Sequence, residues 1–78
     1  MGDRGRERRR FAEAARHVAD LRSRITDQEA RVAKLDQDGR ATAEARRLLE
    51  SFRIMLEQAR THELMLLKRL SAAPPTSA

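Results

Sequence analysis

Asp36-Gln37-Asp38-Gly39-Arg40-Ala41-Thr42 divides the chain into two halves that nearly mirror each other about position 40. Apolar residues recur at helical intervals on both sides of it. Gly39 fits the place just past a helix end, where the backbone turns left-handed and only glycine does so without strain. Thr42 suits the cap of a following helix. Glu44 then falls in that helix's first turn, where a carboxylate favours the helix dipole. A connection this short makes the two helices antiparallel neighbours. The expected fold is all-α: an antiparallel two-helix hairpin, coiled-coil-like, with a helix over 6–38, a turn over 39–41 and a helix over 42–70.

Outward from the turn towards the N-terminus, Phe11, Val18, Ile25 and Val32 recur every seven residues, and Ala14, Leu21, Gln28 and Leu35 fill the intermediate position. This a/d pattern holds for four heptads with one polar member, Gln28. Asp20 with Arg24 and Asp27 with Arg31 are spaced to pair along the helix flank. Residues 1–5, with Gly2 and Gly5, are expected to be a disordered basic arm.

Towards the C-terminus, Ala45, Leu48, Phe52, Met55, Ala59, His62 and Leu66 read as the a/d stripe of the second helix. Leu49, Leu56, Glu63 and Leu70 form a row beside it. Leu64, Met65, Leu66 and Leu67 make the end of this helix apolar almost all round. Pro74-Pro75 forbids continuation, so residues 71–78 are expected to be a disordered tail.

Composition agrees with long helices: 37% of the 78 residues are charged and 3% aromatic, with no cysteine. A chain this short is marginal unless disulfides, metal or oligomerisation add burial. Without cysteine, disulfides and thiolate metal sites are excluded. Folding the chain at position 40 pairs residues whose numbers sum to about 80. Leu35 meets Ala45, Val32 meets Leu48, Gln28 meets Phe52, Ile25 meets Met55, Leu21 meets Ala59, and Val18 meets His62. In this register Leu49, Leu56 and Leu70 fall opposite polar residues such as Glu29 and Arg22, uncovered by the first helix. Three exposed leucines forfeit roughly 5–9 kcal/mol, comparable with the whole stability of a small domain. The expected remedy is a homodimer, two hairpins forming a four-helix bundle. Its interface is read as Leu49, Phe52, Leu56, Leu66, Leu67 and Leu70.

The net charge of +5 is uneven. Arg4, Arg6, Arg8, Arg9 and Arg10 stand against Asp3 and Glu7, so the first ten residues carry most of it. These arginines are candidates for contact with nucleic-acid phosphates, although no aromatics are interleaved for base stacking. His17 and His62 approach each other in the expected register. Two histidines are too few for a metal site, which needs three or four converging ligands, so no metal or cofactor is expected. Gln28, polar at a core position, is read as a register-setting residue. Ser23 and Ser51 have no base at catalytic spacing, and no glycine-rich phosphate loop occurs, so no enzymatic activity is expected.

No apolar run of about 18 residues occurs and no apolar stretch follows the early arginines, so no membrane partner is expected and the expected location is the cytoplasm. Fifteen arginines against two lysines fit a GC-rich bacterial coding sequence.

Three segments carry a resemblance: Arg16-His17-Val18-Ala19, Arg31-Val32-Ala33-Lys34-Leu35, and Asp38-Gly39-Arg40-Ala41-Thr42-Ala43-Glu44-Ala45-Arg46-Arg47-Leu48-Leu49. Over residues 16–56 the chain resembles small uncharacterised helical-hairpin proteins of rhizobia and related alphaproteobacteria. The resemblance implies a helical hairpin in a bacterial cytoplasm. It implies no activity and adds no site residue. From the sequence, then, the chain reads as a non-catalytic interaction or regulatory module that self-associates and docks on another macromolecule, the alternative being a nucleic-acid-associated protein.

Overall fold

A computed structural model describes the backbone of residues 2–72 and the side chains of residues 4–72. Helix α1 spans Gly2–Gln37 and helix α2 spans Ala43–Ser71, and no strand occurs among the described residues. The helices pack antiparallel into a rod of 67 × 15 × 13 Å. Its radius of gyration is 18.2 Å, where a compact domain of this length has about 11.5 Å. Every core residue therefore lies in one seam between two helices.

The connection is a Schellman motif. The Arg40 N–H donates to the Leu35 carbonyl at 2.9 Å and the Gly39 N–H to the Asp36 carbonyl at 3.0 Å, with Gly39 at φ 68°. These bonds satisfy carbonyls that the helix end leaves free. A Cβ built on Gly39 meets nothing within 4 Å, so a substitution here is disfavoured by backbone conformation alone. Gly39→Ala should cost about 1 kcal/mol, lowering the melting temperature by about 4–8 °C in a circular-dichroism melt. An unchanged melt would mean that the turn does not hold this conformation in solution.

Thr42 occupies the N-cap of α2, but its hydroxyl makes no capping bond to the backbone. It accepts from Arg46 Nε at 2.9 Å instead. The expected cap residue is therefore in place with a different partner: its ψ of 0° departs from the extended conformation that aims a hydroxyl at the helix amides.

The α1 stripe is the one that the heptads describe. Ala14, Val18, Leu21, Gln28 and Val32 are buried, and Phe11, Ile25 and Leu35 are half-buried. The start of α1 differs from expectation: Gly2–Gly5 are helical rather than a disordered arm. Arg4 Nη1 donates to the Leu70 carbonyl at 3.3 Å. That carbonyl belongs to the last turn of α2, where a cationic donor satisfies a free acceptor and the helix dipole together. The contact ties the first turn of α1 against the last turn of α2, against the low helix propensity of glycine. Of the tail expected over 71–78, Ser71 closes α2, and residues 73–78 lie outside the described residues.

Helix α2 is rotated relative to expectation. Ala45, Leu49, Ala59 and Leu66 are buried, and Phe52, Leu56, Glu63 and Leu70 are half-buried. Leu48, Met55 and His62, read as seam residues, are exposed. Both arrangements share Ala45, Phe52, Ala59 and Leu66. They differ in whether Leu49, Leu56, Glu63 and Leu70 or Leu48, Met55, His62 and Arg69 complete the seam. The first row buries three leucines and one glutamate stem. The second buries one leucine and one methionine beside a histidine and an arginine, so area burial favours the first. Val32 therefore packs with Ala45 and Leu49, with Ile25 and Leu35 against them. Val18 and Leu21 cluster with Ala59, with Leu56 against them.

Gln28 lies between these two clusters along α1 and is 7% exposed. Its Nε2 donates to the Ala45 carbonyl at 3.0 Å, rather than standing over Phe52. No buried side-chain nitrogen or oxygen among the described residues lacks a partner. A buried amide bonded to one particular carbonyl favours one axial register over its neighbours.

Candidate interaction surfaces

The two edges of the rod differ. On one, Arg53 Nη2 reaches Glu29 Oε2 across the helices at 3.2 Å. Arg53 lines an open groove of about 700 Å³ together with Phe11, Leu56, Arg60, Leu64 and Leu67. On the other edge, near the open end, Arg10, Glu13, Ala14, His62, Leu66 and Arg69 line a shallower groove of about 440 Å³.

The residues read from sequence as the oligomer interface are mostly used within the chain. Leu49 and Leu66 are buried, Phe52, Leu56 and Leu70 are half-buried, and only Leu67 is exposed. The premise that α1 cannot cover Leu49, Leu56 and Leu70 is thus corrected: α1 covers them in part or in full. The exposed large apolar residues are a different set, Leu48, Ile54, Met55, Leu64, Met65 and Leu67. All six belong to α2. Leu64 at 51% and Leu67 at 42% exposure are the exposed large apolar members of the groove. Sequence spacing carried a signal for them: they sit one turn apart in a segment apolar all round, where a helix is normally buried.

Arg6, Arg8, Arg9 and Arg10 are exposed along the first turns of α1, and Arg4 is exposed while bonded to α2. The fold brings Arg4 against the last turn of α2 and Arg10 into one groove with Arg69. Residues 1–20 and 59–72 together hold nine cations against five acids, whereas residues 21–58 hold eight against seven. The ion pairs within 4 Å among the described residues are Arg24–Asp20, Lys34–Asp38 and Arg53–Glu29. Asp27 and Arg31 do not close to this distance. An exposed pair of that spacing gains only about 0.3–0.5 kcal/mol, which side-chain entropy offsets.

His17 and His62 are both exposed. Among the described residues no group of three or more His, Asp or Glu side chains is placed to hold a metal ion. Ser23 and Ser51 are exposed on the helices.

No family model, curated protein or solved structure matches the chain. The surfaces are therefore interpreted from their own chemistry.

Proposed function

We propose that the chain is a non-catalytic interaction module in which two hairpins pair into a four-helix bundle through apolar side chains that α2 exposes, leaving the remaining charged surface to dock on another macromolecule. One observation carries this reading: among the described residues every exposed large apolar side chain lies on α2 and none on α1. A helix apolar beyond its one covered face gains by acquiring a second neighbour, and each half-exposed leucine that the neighbour covers contributes about 1 kcal/mol. The resemblance and the arginine-rich composition support placing the module in a bacterial cytoplasm. No described helix is long and apolar enough to cross a membrane.

Sedimentation equilibrium of the full chain between about 1 and 50 µM is the test, because a standard protein interface gives affinities in or below this range. The expected mass is twice the 8.9 kDa of one chain. A single-chain mass throughout, with helicity intact, overturns the reading.

A second reading rests on the cationic end, where nucleic-acid phosphates would neutralise the excess of arginine. Arg6→Ala with Arg9→Ala and Arg10→Ala should weaken duplex binding and flatten its salt dependence, with about 0.9 lost from the log–log slope per phosphate contact removed. Equal loss from Arg46→Ala with Arg47→Ala, at the turn end, would show net charge acting without a site.

A further inference from the structure

We propose that the second copy docks on one particular face of the rod, in parallel and about a two-fold axis running along it, with Leu64 and Leu67 of each chain seated on Ala12, Ala15 and Ala19 of the other. This rests on the self-association reading above and adds the face and the orientation.

The Arg53–Glu29 pair fixes the face. On α2, Arg53 belongs to a row at seven-residue steps, Arg46, Arg53, Arg60 and Leu67, with Leu64 one turn from Leu67. Arg53, Arg60, Leu64 and Leu67 line one groove, as this row requires. On α1, Glu29 belongs to the row Ala15, Arg22, Glu29 and Asp36, and Ala12 and Ala19 flank Ala15 at helical spacing. The ion pair also sets the level: 29 and 53 face each other, so Leu67 is level with Ala15, and Leu64 with Ala19 to within one residue. Ala12 and Ala19 are exposed and Ala15 is half-buried. At the open end, this face is a leucine ridge on one helix beside an alanine shelf on the other.

A ridge beside a shelf complements a copy of itself when the two-fold axis runs along the rod. That axis lays α2 of each copy over α1 of its partner at an unchanged level, so leucines meet alanines twice and helix axes approach closely over small residues. The charges agree along most of the face. Arg53 of one copy comes over Glu29 of the other, and Arg46 over Asp36. Arg60 over Arg22 is the single like-charge meeting, with Glu57 one turn away on the α2 side. An axis across the rod lays α1 on α1 and reverses the level, bringing the leucines over the charged half of the face. Sliding the antiparallel copies until their apolar ends meet buries only that end.

The area suffices. A face 67 Å long and 15 Å wide offers about 1,000 Å², and each partner in a stable complex contributes about 800 Å². The chain exposes 6262 Å², where a compact chain of its mass exposes about 4,800 Å². Leu48 and Met55 lie on the opposite edge and take no part.

The absence of cysteine from the sequence allows a single label at the turn. Arg40→Cys carrying a nitroxide, measured by pulsed dipolar spectroscopy on the full chain, should give a label separation no greater than about twice the 15 Å rod width. An antiparallel dimer gives a separation approaching the 67 Å rod length. In parallel, Leu64→Glu with Leu67→Glu should weaken the dimer by about 100-fold while helicity persists, since both side chains are exposed. Leu48→Glu with Met55→Glu should leave the dimer intact. A dimer with the long separation, or one that survives Leu64→Glu/Leu67→Glu, overturns the docking face and leaves self-association standing. A single-chain mass for the unsubstituted protein sinks both.

Discussion

Leu49→Glu should abolish the cooperative melt of the hairpin, while Leu48→Glu, one residue away, leaves the melting temperature within about 4 °C of the parent. The contrast follows from the rotation of α2. Leu49 is 7% exposed and packs with Val32 and Ala45, whereas Leu48 is 46% exposed. A glutamate at 49 forfeits about 1.5–3 kcal/mol of apolar burial and must either desolvate its charge or push the helices apart. The combined loss is about 4 kcal/mol or more, in the range reserved for core disruption. A hairpin with one seam supplies no more than about 3–5 kcal/mol, so the folded population collapses. Ellipticity at 222 nm against temperature, at matched chain concentration, reads both variants. If Leu48→Glu proved the damaging one, α2 would be turned by one residue and the seam would run through Leu48, Met55 and His62. For the same reason, Leu49→Glu with Leu56→Glu removes the fold and is no probe of docking.

The two helices were not equally legible in the sequence. In α1 the heptads leave one choice, because every residue flanking Phe11, Val18, Leu21 and Val32 is polar, charged or small. The turn was legible too, since Gly39 alone tolerates the φ of 68° that closes the Schellman bonds. In α2 two stripes competed, and both contain Ala45, Phe52, Ala59 and Leu66. Leu48 and Met55 rival Leu49 and Leu56 in apolar area, so the choice is decided at the far end, where Leu70 opposes Arg69 and Glu63 opposes His62. A pattern read from the turn outward meets that deciding pair last.

The choice of stripe also decides which leucines count as surface. With Leu48 and Met55 in the seam, Leu49, Leu56 and Leu70 read as surplus; with Leu49 and Leu56 there, Leu64 and Leu67 are the leucines left exposed near the open end. The helical start at Gly2 was illegible for another reason. Local propensity disfavours Gly2 and Gly5 in a helix. What opposes it is tertiary: Arg4 bonds to the Leu70 carbonyl, 66 residues away. The Gln28 partner was hidden in the same way, because a backbone carbonyl at Ala45 leaves no mark on side-chain periodicity.

Leu21→Ala should remove most of the chain's stability, and Ala59→Leu in the same chain should restore more than half of it. Leu21 is 1% exposed, the most deeply buried side chain described, and shares a cluster with Val18 and Ala59. Truncation to alanine loses the transfer free energy of three carbons and leaves a void that two stiff helices close only by bending, a cost of about 2–5 kcal/mol. That equals the stability a single seam supplies, so the variant should be largely unfolded at 25 °C. Ala59 is 8% exposed within the same cluster. Its replacement by leucine alone overfills the site, at about 1–3 kcal/mol. The two changes together keep the volume of the cluster, moving the large side chain from α1 to α2. Neighbouring sites couple by about 0.5–3 kcal/mol, so the double variant should melt well above Leu21→Ala. Urea titrations of the four chains in the cycle measure the coupling. Additive costs would mean that Leu21 and Ala59 do not share a space, and the register fixed by Gln28 and by Glu29 with Arg53 would have to shift along the seam.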